Sequence, residues 1–499
     1  MQDPAIAFVS TEQKQQLPPP PGETGWGPRI RRSLFATPLD TTLTIIAALL
    51  IAYVVTNLLE WGVFNAAFVG SDRSVCLPTE GQHAGACWAF VGAKFQLFMY
   101  GIYPDAERWR IDLLLVMLIL LVAPIAIPSV PYKRLNAVLL LAVYPFVALV
   151  LLTGGNFSMS GGGIAFFLAV AAAVTLFSAS GKIGFRWSHP LVRVAGVLLL
   201  VSLVLALLSG MVRSDQIIFL DQRFSILSLA AFIAAIVSVG ATIASAVGGA
   251  DGGKRALSAL VPFFAIVGAL FFVTADFGLE PVRTNSWGGL LLTLVVAISG
   301  IVASLPLGIL LALGRRSQMP AVKLFCVAFI EFWRGIPLIT VLFMANFMLP
   351  LFLPAGVNFD QLLRVLVGVA LFSAAYMAEV VRGGLQAIPK GQYEGAMSLG
   401  LGYWQMMRLI ILPQALRIVI PGIVNTFIGL FKDTTLVTIV GIFDFLRTIE
   451  ATLVDPTWAT PTTRATGYAF AAMFYFLCCW GMSRYSIAVE KRLAAGQKR

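Results

Sequence analysis

The chain has 499 residues, of which 59% are hydrophobic and only 12% charged, and such a composition cannot cover an ordinary water-facing surface. Its net charge of +11 lies in short basic clusters between apolar runs rather than on one soluble domain, which points to a bilayer and away from nucleic acid. Five cysteines without paired metal-ligand spacing, and only two histidines, His83 and His189, leave almost no material for a metal site or histidine-based catalysis.

Residues 1–38 are polar, with a proline run at Pro18 to Pro21 followed by Arg29, Arg31 and Arg32. They read as a flexible cytoplasmic tail rather than a cleaved signal, because no small-residue cleavage site closely follows a short apolar core. Apolar runs then centre on residues 42–60, 111–129, 136–153, 163–179, 194–211, 225–247, 257–275, 289–313, 336–353, 361–381, 417–440 and 465–487. A helix needs roughly 20 apolar residues to cross hydrocarbon, so these predict an all-α polytopic membrane protein of about twelve transmembrane helices. The run near 163 is short, and the one near 417 is interrupted by Lys432 and Asp433.

With the N-terminus inside, roughly 24 Lys and Arg fall in or beside inner segments and about 10 beside outer ones, so both termini are expected in the cytoplasm. Lys133 with Arg134, Lys254 with Arg255, Arg315 with Arg316, and the basic tail 491–499 carry most of that asymmetry. The longest outer loop, residues 61–110, holds Cys76 and Cys87 on the oxidising side, where they form either a disulfide or two unpaired thiols. Cys326, Cys478 and Cys479 sit in or beside apolar helices and read as packing residues.

Residues 39–285 form a transmembrane extension with little motif content, closed by Glu280-Pro281-Val282-Arg283-Thr284-Asn285-Ser286. Within it, Gly248 to Arg255 nearly spells a phosphate-binding loop. That stretch lacks a Ser or Thr after Lys254 and joins two apolar helices rather than following a strand, so nucleotide binding by this chain is not expected.

Beyond residue 285 the signals become dense. The inner loop from Arg382 to Arg417 is too amphipathic for a passive linker. Pro389 can stop one helix, Gln392 to Leu399 suits a short second helix, and Gly400 and Gly402 permit a reversal. Gly395 and Ala396 leave a low surface on that short helix, flanked by Met397 and Leu399 as apolar anchors.

This loop resembles the coupling loop of permease subunits in ATP-binding-cassette importers: Glu-Ala-Ala, three residues, Gly, nine residues, Ile, one residue, Leu-Pro. The matching positions are Glu394, Gly395, Ala396, Gly400, Ile410, Leu412 and Pro413. Gly395 stands where the pattern has alanine, which weakens helix propensity by up to ~1 kcal/mol without adding bulk. Leu310 to Ser317, Ile330 to Leu338, Ala378 to Gly384 and Phe431 to Leu436 extend the likeness to the polar amino-acid branch, and the M-type permeases of the general L-amino-acid uptake system are the nearest pattern. Tyr103-Pro104 and Glu107-Arg108-Trp109-Arg110 look like the N-terminal extension of those permeases.

The resemblance implies a five-helix importer core over residues 286–490, starting outside, ending inside, and moving L-amino acids inward across a bacterial inner membrane by alternating access. It implies as partners ABC ATPase subunits, a second homologous permease, a periplasmic solute-binding protein, the L-amino acid and membrane lipid. No cofactor is expected on this chain; ATP and magnesium belong to the partner ATPase.

Charges at membrane depth are costly and are read first as functional. Lys432 and Asp433 are adjacent and cannot share a helical face, so each meets a different partner or lies at a helix break; they are candidates for the solute path or a structural ion-pair network. Glu379 with Arg382, and Glu331 with Arg334, have i,i+3 spacing that allows local pairs. The first pair is placed near the cytoplasmic end of one helix, the second at the opposite end of the next span, as gate or anchor. An ion-coupled secondary amino-acid transporter is the rival reading, since about twelve helices suit such carriers, but no matching first half is visible. No Gly-x-Ser-x-Gly or His-Glu-x-x-His motif supports an intramembrane enzyme.

Overall fold

A computed structural model describes residues 26–77, 84–127, 130–157, 159–180, 189–211, 216–219, 222–247, 252–352 and 359–495. In chain order the helices are α1 Trp26–Leu34, α2 Pro38–Phe64, α3 Trp88–Tyr100, α4 Arg108–Ala126, α5 Lys133–Thr153, α6 Gly161–Ser180 and α7 Pro190–Met211. A hairpin of β1 Gln216–Phe219 and antiparallel β2 Gln222–Ser225 follows, with Gln216 opposite Ser225 and Phe219 opposite Gln222. Then come α8 Ile226–Ala246, α9 Gly252–Thr274, α10 Gly289–Arg315, α11 Pro320–Gly335, α12 Leu338–Phe352, α13 Gln361–Ala387, α14 Lys390–Ser398, α15 Tyr403–Val440, α16 Phe445–Thr452 and α17 Pro461–Ala495.

Helix is the conformation that lets an apolar run satisfy its own backbone polar groups without water. Local chemistry sets where each one starts. Thr37 and Asp40 form a reciprocal capping box on α2, with Pro38 in the first turn. Ser225 caps α8 by accepting from the Ser228 N–H. None of Pro38–Leu59 is buried, so that helix presents its leucines and isoleucines all round, as a lipid-exposed span does.

Among the described residues ten helices are long and apolar enough to span, or eleven when α11 and α12 count as one bent span. Outside this count stands α4, nineteen residues with Arg108, Arg110 and Asp112 in its opening turns; it covers most of the expected run at 111–129. Two expectations change. The run at 336–353 is not a simple span, because α11 precedes it and the chain turns 104° between α11 and α12. Pro337 has no N–H to donate and drives Ile336 into extended backbone, which ends α11 there. The polar tail is helical over Trp26–Leu34; residues 1–25 and the end of the basic tail from 496 lie outside the described residues, as does the Gly248–Asp251 part of the phosphate-loop lookalike.

The chain forms two compact units, residues 1–93 with 453–467 and residues 94–452 with 468–499. In the first, Cys76 and Cys87 form a disulfide. The Cys87 N–H donates to Thr466 Oγ1 at 2.8 Å, the Arg73 N–H donates to the Thr457 carbonyl at 2.9 Å, and Trp88 Nε1 donates to the Gly62 carbonyl at 2.8 Å.

In the larger unit, α10, α13 and α15 pack through two apolar clusters. One joins Trp287, Leu292, Val296, Leu342, Val365 and Val437; the other joins Ile330, Met377, Leu385, Met407 and Ile411. Close approach rests on small residues: a Cβ on Gly308 would lie 2.7 Å from the Met377 side chain, and one on Gly384 would lie 2.7 Å from the Ala415 carbonyl oxygen. Helices α6 to α9 pack on alanines such as Ala172, Ala231 and Ala235, with the Ser202 hydroxyl donating to the Ala231 carbonyl at 2.7 Å.

Within the extension, the motif around Tyr103 to Arg110 joins segments distant in sequence. Tyr103 donates its hydroxyl to the Leu152 carbonyl at 3.0 Å. Arg110, 1% exposed, pairs with Glu107 and donates to the Glu280 carbonyl at 2.8 Å. A buried guanidinium persists only where such partners meet it.

Candidate functional site

At one end of α13 the chain makes the short helix α14, as the Pro389 and Gly400 signals predict. Ile388 is extended and Pro389 occupies the position before the helix, so the new axis starts cleanly. At its far end Gly400 takes φ +72°, its N–H donating to the Met397 carbonyl at 2.9 Å, while the Leu401 N–H donates to the Ala396 carbonyl at 3.3 Å. This left-handed closure satisfies the last carbonyls and suits glycine. Gly402 is not left-handed, at φ −66°: the reversal needs one special glycine, and the Gly402 N–H instead donates to Gln405 Oε1 at 3.2 Å to start the next helix.

One face of α14 is held. Ala396, 1% exposed, joins the cluster of Leu385, Ile388, Met406 and Ile411. Tyr393 donates its hydroxyl to the Leu385 carbonyl at 3.1 Å and accepts from Arg316 Nη1 at 3.0 Å, with the guanidinium 5.5 Å from its ring centroid. Gln414 Nε2 donates to Gln392 Oε1 at 3.1 Å. The other face is bare: Glu394 and Gly395 are exposed, Met397 is 57% and Leu399 75% exposed, and Trp404 beyond the turn is 66% exposed. Pro413 is exposed and Leu412 half-buried at the foot of α15. A Cβ at Gly395 would meet nothing within 4 Å, so the family's alanine fits here. An apolar, singly acidic surface of this kind suits docking against another protein.

Beside it, Glu379 collects three guanidinium groups. It accepts from Arg315 Nη1 at 2.7 Å and from Arg382 Nε at 2.9 Å, and Arg334 Nη1 lies 3.8 Å away. Arg315 Nη1 also donates to Glu331 Oε1 at 3.0 Å. The Glu379–Arg382 pair therefore forms as its spacing predicts, whereas Glu331 and Arg334 do not make the expected local pair. They belong to the same cluster rather than to an opposite end, because α11 packs beside α10 and α13 and brings Glu331 to Arg315 and Arg334 to Glu379. Two carboxylates facing three arginines leave the cluster cationic, and its members come from three helices.

Lys432 and Asp433 lie where α15 changes from α-helical to 3-10 geometry at Thr434, which is the helix break their adjacency anticipated. Lys432 is exposed and Asp433 half-buried, and among the described residues neither forms an ion pair. The structural ion-pair network considered for them is absent among those residues.

Sequence reasoning did not single out Arg315, Arg316 or Tyr393 as site residues; the double arginine served to orient the chain and as part of the Leu310 to Ser317 likeness. Their pairing across 64 to 77 residues carries no local spacing signal. Asp444 was also missed. It is 1% exposed and caps α16, accepting from the Leu446 and Arg447 N–H groups at 3.1 Å, and burial pushes its carboxyl up to about 6.

Comparison with known proteins follows the same division of the chain. Residues 304–494 match the family of the binding-protein-dependent transport system inner membrane component. The inner membrane amino-acid ABC transporter permease protein YhdY of Escherichia coli (strain K12) is 38% identical over 94% of this chain and 93% of its own length. The glutamate/glutamine/aspartate/asparagine transport system permease protein BztC of Rhodobacter capsulatus is 39% identical over 98% of both chains. A shorter relative, the glutamate/aspartate import permease protein GltK of Escherichia coli O6:H1, is 38% identical and covers 41% of this chain but 92% of itself.

Proposed function

Because this chain belongs to the family of amino-acid ABC transporter permeases, we propose that α14 is the surface on which a partner ATPase docks and through which ATP binding drives the transport of L-amino acids. The carrying observation is the division of α14 into a face fixed by Ala396, Tyr393 and Gln392 and a bare face of Glu394, Met397 and Leu399. A force applied to the bare face is passed to the spans through short, specific contacts.

In this reading α14 lies in the cytoplasm, both termini lie on the same side, and the membrane is the bacterial inner membrane, in keeping with the excess of Lys and Arg in those segments. The assembly comprises this chain, a second homologous permease, two ATPase subunits that bind ATP and magnesium, and a periplasmic solute-binding protein. The cluster of Glu379, Arg315, Arg334, Arg382 and Glu331 fastens the cytoplasmic ends of α10, α11 and α13 and acts as an inner gate. Lys432 and Asp433, without ion-pair partners among the described residues, face the solute path.

The test is uptake of labelled amino acids into proteoliposomes holding this chain, the partner permease, the ATPase and the binding protein, with and without internal ATP. Uptake that needs all four components and ATP supports the reading. ATP-independent uptake by this chain alone, driven by an ion gradient, would overturn it in favour of a secondary carrier.

A further inference from the structure

A cavity of about 810 Å³ lies in the larger unit at the end of α13 remote from α14, within the size range of roughly 300–1,000 Å³ typical of small-molecule sites. Two parts of the sequence build it. Leu97, Ile102, Thr153 and Phe157 line it from the N-terminal extension; Trp287, Leu292, Asp360 and Thr448 line it from the permease core.

The joint between these walls is made backbone to backbone. Gly101 takes φ +65°, and a Cβ there would lie 2.4 Å from Gly288 Cα; Gly289 takes φ +61°, and a Cβ there would lie 2.3 Å from the Phe98 carbonyl oxygen. Only glycine fits such approaches. With Tyr103 packed in one apolar cluster with Trp287, Leu292 and Val365, they fix the extension as a permanent wall of the cavity.

The polar groups inside are few and incompletely used. Arg283 lines the cavity, is exposed, and forms no ion pair among the described residues. Asp360 lines it too and has no cationic partner among the described residues; its carboxylate accepts from Thr284 Oγ1 at 2.5 Å and from the Leu362 N–H at 2.9 Å. Trp287 contributes the apolar part of its ring: it is 6% exposed, and its indole N–H, without an acceptor among the described residues, is shut off from the cavity. The cavity thus offers a cation for an anionic group, a separate carboxylate for an ammonium, and apolar walls for a side chain.

We propose that this cavity is an amino-acid-binding vestibule of the permease itself, walled on one side by the N-terminal extension, in which Arg283 receives the solute's α-carboxylate and Asp360 faces its ammonium. The proposal rests on the amino-acid transport reading above. On this view the extension shapes the space that a solute occupies before it enters the spans.

The experiment uses the complete reconstituted transporter carrying Ile102→Cys, with the unsubstituted chain as background. Uptake of labelled L-glutamine, L-glutamate, L-leucine and L-arginine first identifies the amino acid that is carried. The rate at which a membrane-impermeant maleimide modifies the new thiol is then measured with that amino acid, and with its α-amide, which keeps the ammonium and loses the carboxylate. The amino acid is expected to slow modification several-fold and the amide to leave it unchanged. Arg283→Gln should raise the half-protecting concentration roughly tenfold or more, and Arg283→Lys by less. An unchanged modification rate at saturating amino acid, with ATP-dependent uptake intact, would overturn the vestibule and leave the transport reading standing. Equal protection with Arg283→Gln would overturn the role of Arg283. Protection without ATP-dependent uptake of any of the four would support the site and sink the transport reading.

Discussion

Gly400 is the position at which the proposed coupling can be tested with least ambiguity. Its φ of +72° is a conformation that costs an ordinary L-residue about 1–2 kcal/mol, and more when the side chain is β-branched. A Cβ there would touch nothing within 4 Å, so Gly400→Val acts on the backbone alone and leaves the packed spans undisturbed. Taking about 2–3 kcal/mol for valine, the population holding the Met397 and Leu401 turn bonds falls roughly 30- to 150-fold against competing turns. Assembly into the membrane should be normal, ATP hydrolysis should persist, and uptake per ATP should drop at least about tenfold. Gly400→Asn, which tolerates left-handed backbone, should retain most uptake, and Gly395→Ala should be neutral because its site is open. Both rates are read from the same reconstituted vesicles, one as released phosphate and one as accumulated label. Wild-type coupling in Gly400→Val would refute the idea that the turn transmits the stroke.

Other expectations follow from the same geometry. Glu379→Gln leaves Arg315, Arg334 and Arg382 facing one another and should cost about 1–3 kcal/mol, seen as a lower Tm of the purified chain and a change in basal ATP hydrolysis by the assembled complex. Tyr393→Phe removes one acceptor from Arg316 and one donor to Leu385, about 1 kcal/mol, and should reduce uptake more than insertion. Asp444 has its carboxyl raised from 3.8 to about 6 in the folded chain, so the native state binds more protons than the unfolded one between those values. Stability should therefore rise by about 1 kcal/mol as pH falls from 7 to 5, and Asp444→Asn should flatten that rise in a Tm-against-pH series. Cys76→Ser with Cys87→Ser should leave the spans intact but speed protease cleavage of the loop after α2, where the disulfide closes a separation of 11 residues.

The all-α spanning architecture was legible because a bilayer imposes it: runs of about 20 apolar residues admit few other solutions. Helix α14 was legible because proline and glycine bracket it. The break between α11 and α12 was marked by Pro337, yet hydropathy alone started the span at residue 336 and missed the amphipathic α11. The charge cluster was half legible. Glu379–Arg382 is local and followed from spacing, whereas Arg315 reaches Glu379 across 64 residues and only packing reveals it. Nothing in the extension's composition announced a cavity, because its wall depends on glycines whose neighbours are 180 residues or more away in sequence.

The contacts around α14 also define how a movement there is delivered. Tyr393 on α14 binds Arg316 just beyond α10; its sequence neighbour Arg315 binds Glu379 on α13 and Glu331 on α11. The path is short, charged and made of groups that hold fixed angles, while the linkers of α14 to α13 and α15 include Pro389 and Gly400. A displacement of α14 is thus carried less by its covalent linkers than by this side-chain bracket, which grips three helices together. Gly308 against Met377 and Gly384 against Ala415 then keep α10, α13 and α15 in register. At the far end of α13, about 40 Å away for 27 residues, Gln361 and Leu362 line the cavity, so one helix joins the proposed docking surface to the proposed vestibule.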